Sequence, residues 1–244
     1  GARAPLDDPG LVQRSALAAK PDLWVHPLAA ATRRLEGREL AEYALMVRAG
    51  ARAVATGRSQ VADSGVMHRV LAYAASQGLT VIAHAEDDGL VRNAVATSGE
   101  TASRLGLPSA PARAEAMAIA RDLALVEETG AAIHFRQVTT ARGLTLIRAA
   151  KGEGLRVTCG ITPAHVLLSD IAVTDFRTFA RLSPPLRSEG AGTLDAVMRA
   201  LWARCAGGPM DEQDLRAVLQ EQTGRSWAEE LAAWVHGTGE LPLK

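Results

Sequence analysis

The sequence predicts an α/β fold built from parallel βα units. Two observations carry this. From Pro21 to about Ser183, short apolar runs of strand length alternate with amphipathic stretches of helical period. Strand-like runs separated by helical patterns of roughly 10–15 residues belong to βα units and a parallel sheet rather than to hairpins.

The elements follow in order. Residues 23–29 read as the first strand, and residues 37–49 as a helix with Leu40, Tyr43, Ala44 and Val47 on one face. Residues 52–56 are the second strand, before a helix over 64–76 that Asp63 or Ser64 opens as N-cap. Residues 79–84 form the third strand, and a long helix spans about 112–129. Residues 132–138 are the fourth strand, followed by a helix over 141–153 that Gly154 closes. Residues 155–161 and a short run at 179–183 are the fifth and sixth. A complete (β/α)₈ barrel takes about 250 residues, yet all six of these strands lie before Glu189. Beyond it the pattern is helical, broken at Gly207-Gly208-Pro209 and Gly237-Thr238-Gly239. The expectation is a partial TIM-barrel-like unit over residues 1–189 and a C-terminal helical segment over 190–244.

Composition bounds the function. The chain has 244 residues, 48% of them hydrophobic, with 27 basic residues against 27 acidic ones. Zero net charge removes the electrostatic footprint of a nucleic-acid or membrane-surface binder. No apolar run approaches the roughly 18 residues of a spanning helix, and residues 1–10 have neither the charged nor the apolar region of a signal peptide. Two cysteines, Cys159 and Cys205, do not make a disulfide framework. A soluble cytoplasmic protein is the expectation. Only three lysines occur, Lys20, Lys151 and Lys244, against 24 arginines.

Reactive side chains of parallel α/β folds gather at the C-terminal ends of strands, and four places qualify. His84 is followed by Glu86, Asp87 and Asp88; this suits a metal ligand with carboxylates behind it, or a buried His with an acid capping the next helix. At residues 133–140, strand alternation puts His134, Arg136 and Val138 on one face and Phe135 and Gln137 on the other. Gln137 is a poor metal ligand and Arg136 repels a cation, so a structural strand end with a Thr helix cap is favoured there. His165 follows a Pro turn and suits a metal, a substrate or a backbone partner. Ser183-Pro184-Pro185-Leu186-Arg187 is a rigid turn presenting a guanidinium fit for a carboxylate, in a substrate or in an ordinary ion pair.

Seven motifs in order then resemble dihydroorotase, a cyclic amidohydrolase akin to allantoinase and hydantoinase. They lie at residues 32–40, 84–87 (His-Ala-Glu-Asp), 106–116, 121–122, 137–141, 155–165 and 183–189. The resemblance implies a TIM barrel holding one or two Zn²⁺, which turn water into the hydroxide that opens the ring amide of dihydroorotate in pyrimidine synthesis. It makes His84 a retained metal ligand, and Arg187, His165 and Ser183 substrate-binding residues. Other positions depart from the family. The next ligand His falls on Gln137, and the bridging carboxylate falls on Thr56 or Gly57. Lys20 and Lys151 are far from any matching strand end, so no carboxylated lysine takes its place. The first-strand His-x-His pair and the late Asp motif have no counterpart in these 244 residues.

Residues 193–202 and 234–243 are faintly similar to the C-terminal helical region of glycyl aminopeptidases, without the zinc motif that activity would need. Three functions remain open. One is a non-catalytic dihydroorotase-like scaffold with zinc absent or weakly held, in a homo- or hetero-oligomer, by analogy with inactive homologues that assemble with aspartate transcarbamoylase. The second is an active dihydroorotase or related amidohydrolase whose ligands lie in other segments. The third is a metal-free small-carboxylate binder using Arg187 and His165. The first expects an incomplete barrel edge to be covered, for which Leu194, Val197, Met198, Leu201 and Trp202 offer helical spacing, as do Leu231, Trp234 and Val235.

Overall fold

A computed structural model describes residues 5–18, 20–188, 212–223 and 226. Its strands in chain order are β1 (Leu28–Ala30), β2 (Ala53–Ala55), β3 (Thr80–Ala83), β4 (Ala96–Thr97), β5 (Ser109–Ala110), β6 (Ala132–Phe135) and β7 (Val157–Cys159). Five of them make one parallel sheet in the order β1-β2-β3-β6-β7, and β4 pairs with β5 as a separate ribbon. The helices are α1 (Pro9–Leu17), α2 (Tyr43–Arg48), α3 (Ser64–Ser76), α4 (Asp88–Val91), α5 (Glu100–Leu105), α6 (Arg113–Thr129), α7 (Ala141–Gly152), α8 (Pro163–Leu167) and α9 (Glu212–Thr223). Strand order in the main sheet follows chain order without reversal. A doubly wound sheet reverses at a switch point, whereas a barrel adds each strand beside the last. The winding is that of a barrel portion.

The two faces of the sheet differ. Register aligns Ala29, Val54, Val81, Ile133 and Val157 in one row, and none is more than 3% exposed. They share a core with Val66 and Val70 of α3, Ile119 and Val126 of α6, and Ile147 of α7. The next row, Ala30, Ala55, Ile82, His134 and Thr158, belongs to the opposite face. Burial there fades from Ala30, which is buried, to Thr158, which is exposed. In a complete barrel this is the face that looks into the lumen.

Several expectations hold. Asp63 caps α3, its Oδ1 accepting from Val66 N at 2.7 Å, and Gly154 sits at φ 86 just past α7, where a side chain would be strained. Others are corrected. The first strand starts at Leu28, not residue 23, because Pro27 has no N–H for the ladder; Leu23 and Trp24 are exposed, and the Lys20 amine lies 4.2 Å from the Trp24 ring centroid. The helix expected over 37–49 begins only at Tyr43. Residues 32–42 instead form a loop closed by the Thr32–Leu40 bridge, with the Thr32 hydroxyl accepting from Gly37 N. Leu40 reaches the core from that loop, which is why its spacing imitates a helix. Residues 179–183 form no strand; the segment is a 3₁₀ turn (Thr178–Ala180) and extended chain. Ala180 and Leu182 bury themselves with Val173, Leu186 and Leu105 in a second small core instead.

The expected apolar faces at residues 194–202 and 231–235 lie outside the described residues. No helix among the described residues is long and apolar enough to cross a membrane.

One buried acid makes the fold pH-dependent. Asp122 is 1% exposed and its Oδ1 accepts from Arg121 at 2.6 and 3.0 Å. Burial outweighs the arginine and raises the carboxyl from 3.8 to about 6. The folded state therefore keeps a proton that the unfolded chain releases between about pH 4 and pH 6. Stability from this group is greatest below that window and falls as pH rises through it. Asp122→Asn removes the titration. Relative to wild type, the variant should gain about 3 kcal/mol between pH 4 and pH 7, read by urea denaturation; an unchanged difference refutes this.

Candidate functional site

His84 follows the last residue of β3, and its N–H donates to Thr56 Oγ1 at 3.1 Å, just beyond β2. The ring is 4% exposed, with Nε2 3.1 Å from Glu86 Oε2. A carboxylate only accepts, so the imidazole donates from Nε2. Ser183 Oγ donates to the same Glu86 oxygen at 3.2 Å and lies 3.4 Å from His84 Nε2. His84 Nδ1 and Glu86 Oε1 are buried without a hydrogen-bond partner. A nucleophilic relay needs serine and acid on opposite ring nitrogens. Here both face Nε2, so Ser183 is not activated.

A second buried carboxylate organises the neighbouring wall. Glu115, in the first turn of α6, is fully buried. It accepts from Thr139 N at 2.9 Å, Thr139 Oγ1 at 2.5 Å, Thr140 N at 2.8 Å and Thr140 Oγ1 at 2.6 Å. Thr140 also caps α7 by accepting from Gly143 N. Arg187 closes the cluster. Its Nε donates to Thr139 Oγ1 at 2.8 Å, Nη1 to Thr97 Oγ1 at 3.0 Å and Nη2 to Glu115 Oε2 at 3.3 Å. Nη2 is also 4.0 Å from Glu86 Oε1. The Thr97 hydroxyl in turn donates to Leu186 O at 2.8 Å, tying the Pro-Pro turn to the β4–β5 ribbon.

The remaining expected residues surround this cluster with partners of their own. His165, on α8, donates from Nε2 to Pro184 O at 2.7 Å, and its Nδ1 meets Thr162 Oγ1 at 2.6 Å. Gln137 Oε1 accepts from Arg136 Nη2 at 3.5 Å, and Gly57 O accepts from Arg136 Nη1 at 3.2 Å. His134 Nδ1 lies 2.8 Å from Thr158 Oγ1. Its pKa is lowered, first by burial and then by the Arg136 charge.

The structure thus brings His84, Ser183 and Arg187 together through Glu86 and Glu115. Thr56 joins them through its hydroxyl, which accepts from His84 N, whereas Gly57 and Gln137 are bonded to Arg136, and His165 to Thr162 and Pro184 O. Each guanidinium nitrogen of Arg187 and both ring nitrogens of His165 already have partners within the protein. Glu115 was not singled out beforehand, although a cue existed. On α6 the positions Glu115, Ile119, Asp122 and Val126 form one buried stripe, and an acid at a core position of an amphipathic helix needs a buried partner.

These residues do not fit zinc. Zinc needs three or four N, O or S ligands at about 2.0–2.3 Å. Among the described residues, no three His, Cys, Asp or Glu side chains converge in that way. His84 offers one nitrogen, Gln137 an amide, and the Thr56 hydroxyl is already used by His84 N.

Comparison with known proteins accounts for the architecture. The dihydro-orotase-like family model matches residues 12–142. The dihydroorotase of Pelotomaculum thermopropionicum is 37% identical over 225 residues, which cover 86% of this chain and 53% of that protein. The dihydroorotase of Syntrophus aciditrophicus is 42% identical over 71% of this chain and 43% of its own length. A dihydroorotase-like protein of Pseudomonas putida is 40% identical over 67% of this chain and 39% of its own. Among solved structures, L-hydantoinase (dihydropyrimidinase) from Arthrobacter aurescens superposes with a TM-score of 0.62 at 21% identity, covering 78% of this chain and 44% of that one. This likeness concerns the fold. The chain spans about half the length, or less, of the curated relatives it matches. With the singly wound sheet, the strand-end histidine and more than half of its residues matched to one family model, the chain belongs to the dihydro-orotase-like family of amidohydrolases.

Proposed function

We propose that this chain is a non-catalytic dihydroorotase-like scaffold of pyrimidine biosynthesis, with zinc absent or weakly held. The observation that carries the reading is the loss of two ligand positions inside the matched region, Gln137 and the Thr56-Gly57 pair, with Arg136 bonded to two of these three residues. In this reading residues 1–189 are the barrel portion and 190–244 a helical segment that helps cover it. The protein works in the cytoplasm in a homo- or hetero-oligomer, with aspartate transcarbamoylase as the partner.

The test is threefold on the purified chain: zinc by elemental analysis after dialysis, hydrolysis of dihydroorotate by absorbance, and sedimentation with aspartate transcarbamoylase. The expected results are far less than one zinc per chain, no turnover, and co-sedimentation. About one zinc per chain with turnover overturns the reading, and so does a monomer with no affinity for aspartate transcarbamoylase.

A second reading is an active dihydroorotase, or an allantoinase- or hydantoinase-like enzyme, whose other ligands lie in segments beyond these residues. The half-length match to the relatives favours it. Gln137 opposes it. The carboxylate-binder reading through Arg187 and His165 loses ground, because each guanidinium nitrogen of Arg187 and both ring nitrogens of His165 already have partners in the protein, and Arg187 already faces Glu115.

A further inference from the structure

We infer that the Arg136 guanidinium stands where a metal would, and that it makes the strand-end mouth a binding site for a small carboxylate. The inference goes beyond the scaffold reading and does not require it.

The backbone ladder places Arg136. Its N–H donates to Ala83 O, Gly160 N donates to Phe135 O and Val138 N to Gly160 O, so the parallel pairing continues one step past the ends of β3, β6 and β7. Arg136 therefore stands beside His84 on one side and Gly160 on the other. Its guanidinium reaches to Gly57 O beyond β2 and touches Gln137 Oε1. Gly57 and Gln137 are two of the positions at which the family resemblance expects metal-binding groups. A fixed guanidinium there opposes any dication by charge repulsion.

What the guanidinium lacks is an anion. Arg carries five N–H donors and stays charged at any physiological pH. Two of the Arg136 donors meet neutral carbonyl oxygens; the other three have no protein partner, and no carboxylate pairs with it, among the described residues. Arg121 and Arg187 differ. Each of their guanidinium nitrogens is bonded and each faces a buried carboxylate. Arg136 is only half-buried, so solutes can reach it. A partly desolvated cation without a counter-ion gains more from an anion than an exposed one does.

The groups bonded to it are uncharged. The backbone approaches closely here: a Cβ on Gly160 would stand 3.0 Å from Arg136 O and one on Gly57 2.8 Å from Leu35 Cδ1, so neither position has space for a side chain. His134 is held toward its neutral form, first by burial and then by Arg136. The planar fork fits a carboxylate in two parallel bonds. The neighbouring acceptors, Gly57 O and Gln137 Oε1, disfavour the higher charge of a phosphate dianion.

The test titrates sodium acetate, sodium phosphate and zinc chloride separately into the full chain at constant ionic strength, following the amide resonances of Gly57, Gln137 and Gly160 by NMR. Acetate should shift these three amides saturably in the millimolar range. Arg136→Gln should weaken binding about tenfold or more, and Arg136→Lys, which keeps the charge but loses the fork, by less. Thermal melts of both variants establish that they fold; should Arg136→Gln not fold, Arg136→Lys decides by itself. The inference is overturned by the absence of saturable shifts with acetate, by unchanged affinity in the folded variants, by equal saturation with phosphate, or by stoichiometric zinc binding that perturbs His84 and Gln137.

Discussion

Glu115→Ala should destabilise the protein by about 3–5 kcal/mol, enough to leave a marginal fold largely unfolded at 37 °C. The carboxylate is fully buried and accepts from two backbone N–H groups, two hydroxyls and a guanidinium. Truncation strands the Thr139 and Thr140 N–H donors where the buried carboxylate had accepted them. It also leaves the Arg187 charge, 9% exposed in its side chain, without its closest anion. Each of these costs is of the kind that follows from removing one partner only, which exceeds the net worth of the bond itself. Glu115→Gln keeps the shape and one acceptor, and should lose clearly less. Urea denaturation of the three proteins measures both effects. An alanine variant within about 0.5 kcal/mol of wild type, the scatter of surface substitutions, shows that the cluster is solvated and the account wrong.

The fold was legible wherever periodicity reports burial on one side only. Helices α3, α6 and α7 carry apolar stripes under a sheet row of Val54, Val81, Ile133 and Val157, and their spacing marks them without ambiguity. Residues 37–42 and 179–183 misled for a common reason. In both, apolar side chains reach a core from irregular backbone: Leu40 from the loop after β1, and Ala180 and Leu182 from the turn facing Val173. Periodicity records that these side chains are buried but not what backbone delivers them. The short helices α4, α5 and α8 and the β4–β5 ribbon escaped because elements of two to six residues carry too few positions to display a period.

The candidate site was legible in its strand-end residues and illegible in its links. His84, Gln137 and Arg187 stand out because a polar group at the end of an apolar strand or on a Pro-Pro turn is conspicuous. That Arg187 answers Glu115, 72 positions away in sequence, is a consequence of tertiary folding that no local pattern contains. The same holds for the Thr97 hydroxyl, which meets Arg187 from a ribbon the sequence pattern did not reveal. Arg136 is the opposite case: its cationic character at a strand end could be read directly, but not its want of a carboxylate among the described residues, which depends on every neighbour.

Arg187→Met should cost about 3 kcal/mol, and combined with Glu115→Gln the loss should fall short of the sum of the single losses by about 1–3 kcal/mol. Methionine retains much of the side-chain volume, so the effect isolates the guanidinium rather than a cavity. Three bonds vanish, to Thr139, Thr97 and Glu115, and the Glu115 and Glu86 carboxylates lose the cation between them. Glutamine at position 115 removes the negative charge that the missing cation had balanced, so the second substitution repairs part of what the first breaks. The turn carrying Leu186 and Arg187 should also loosen, because it keeps the Thr97 hydroxyl on Leu186 O, the His165 ring on Pro184 O, Ser183 on Glu86 and Asp170 N on Arg187 O but loses all three guanidinium bonds. Hydrogen exchange at Leu186 and Asp170 should therefore quicken in Arg187→Met, since Asp170 N donates to the Arg187 carbonyl, while exchange at Val81 and Ile133 in the sheet should change only with global stability. Strict additivity of the two substitutions, or equal acceleration throughout the chain, would falsify the view that Arg187 clamps this turn to the strand-end cluster.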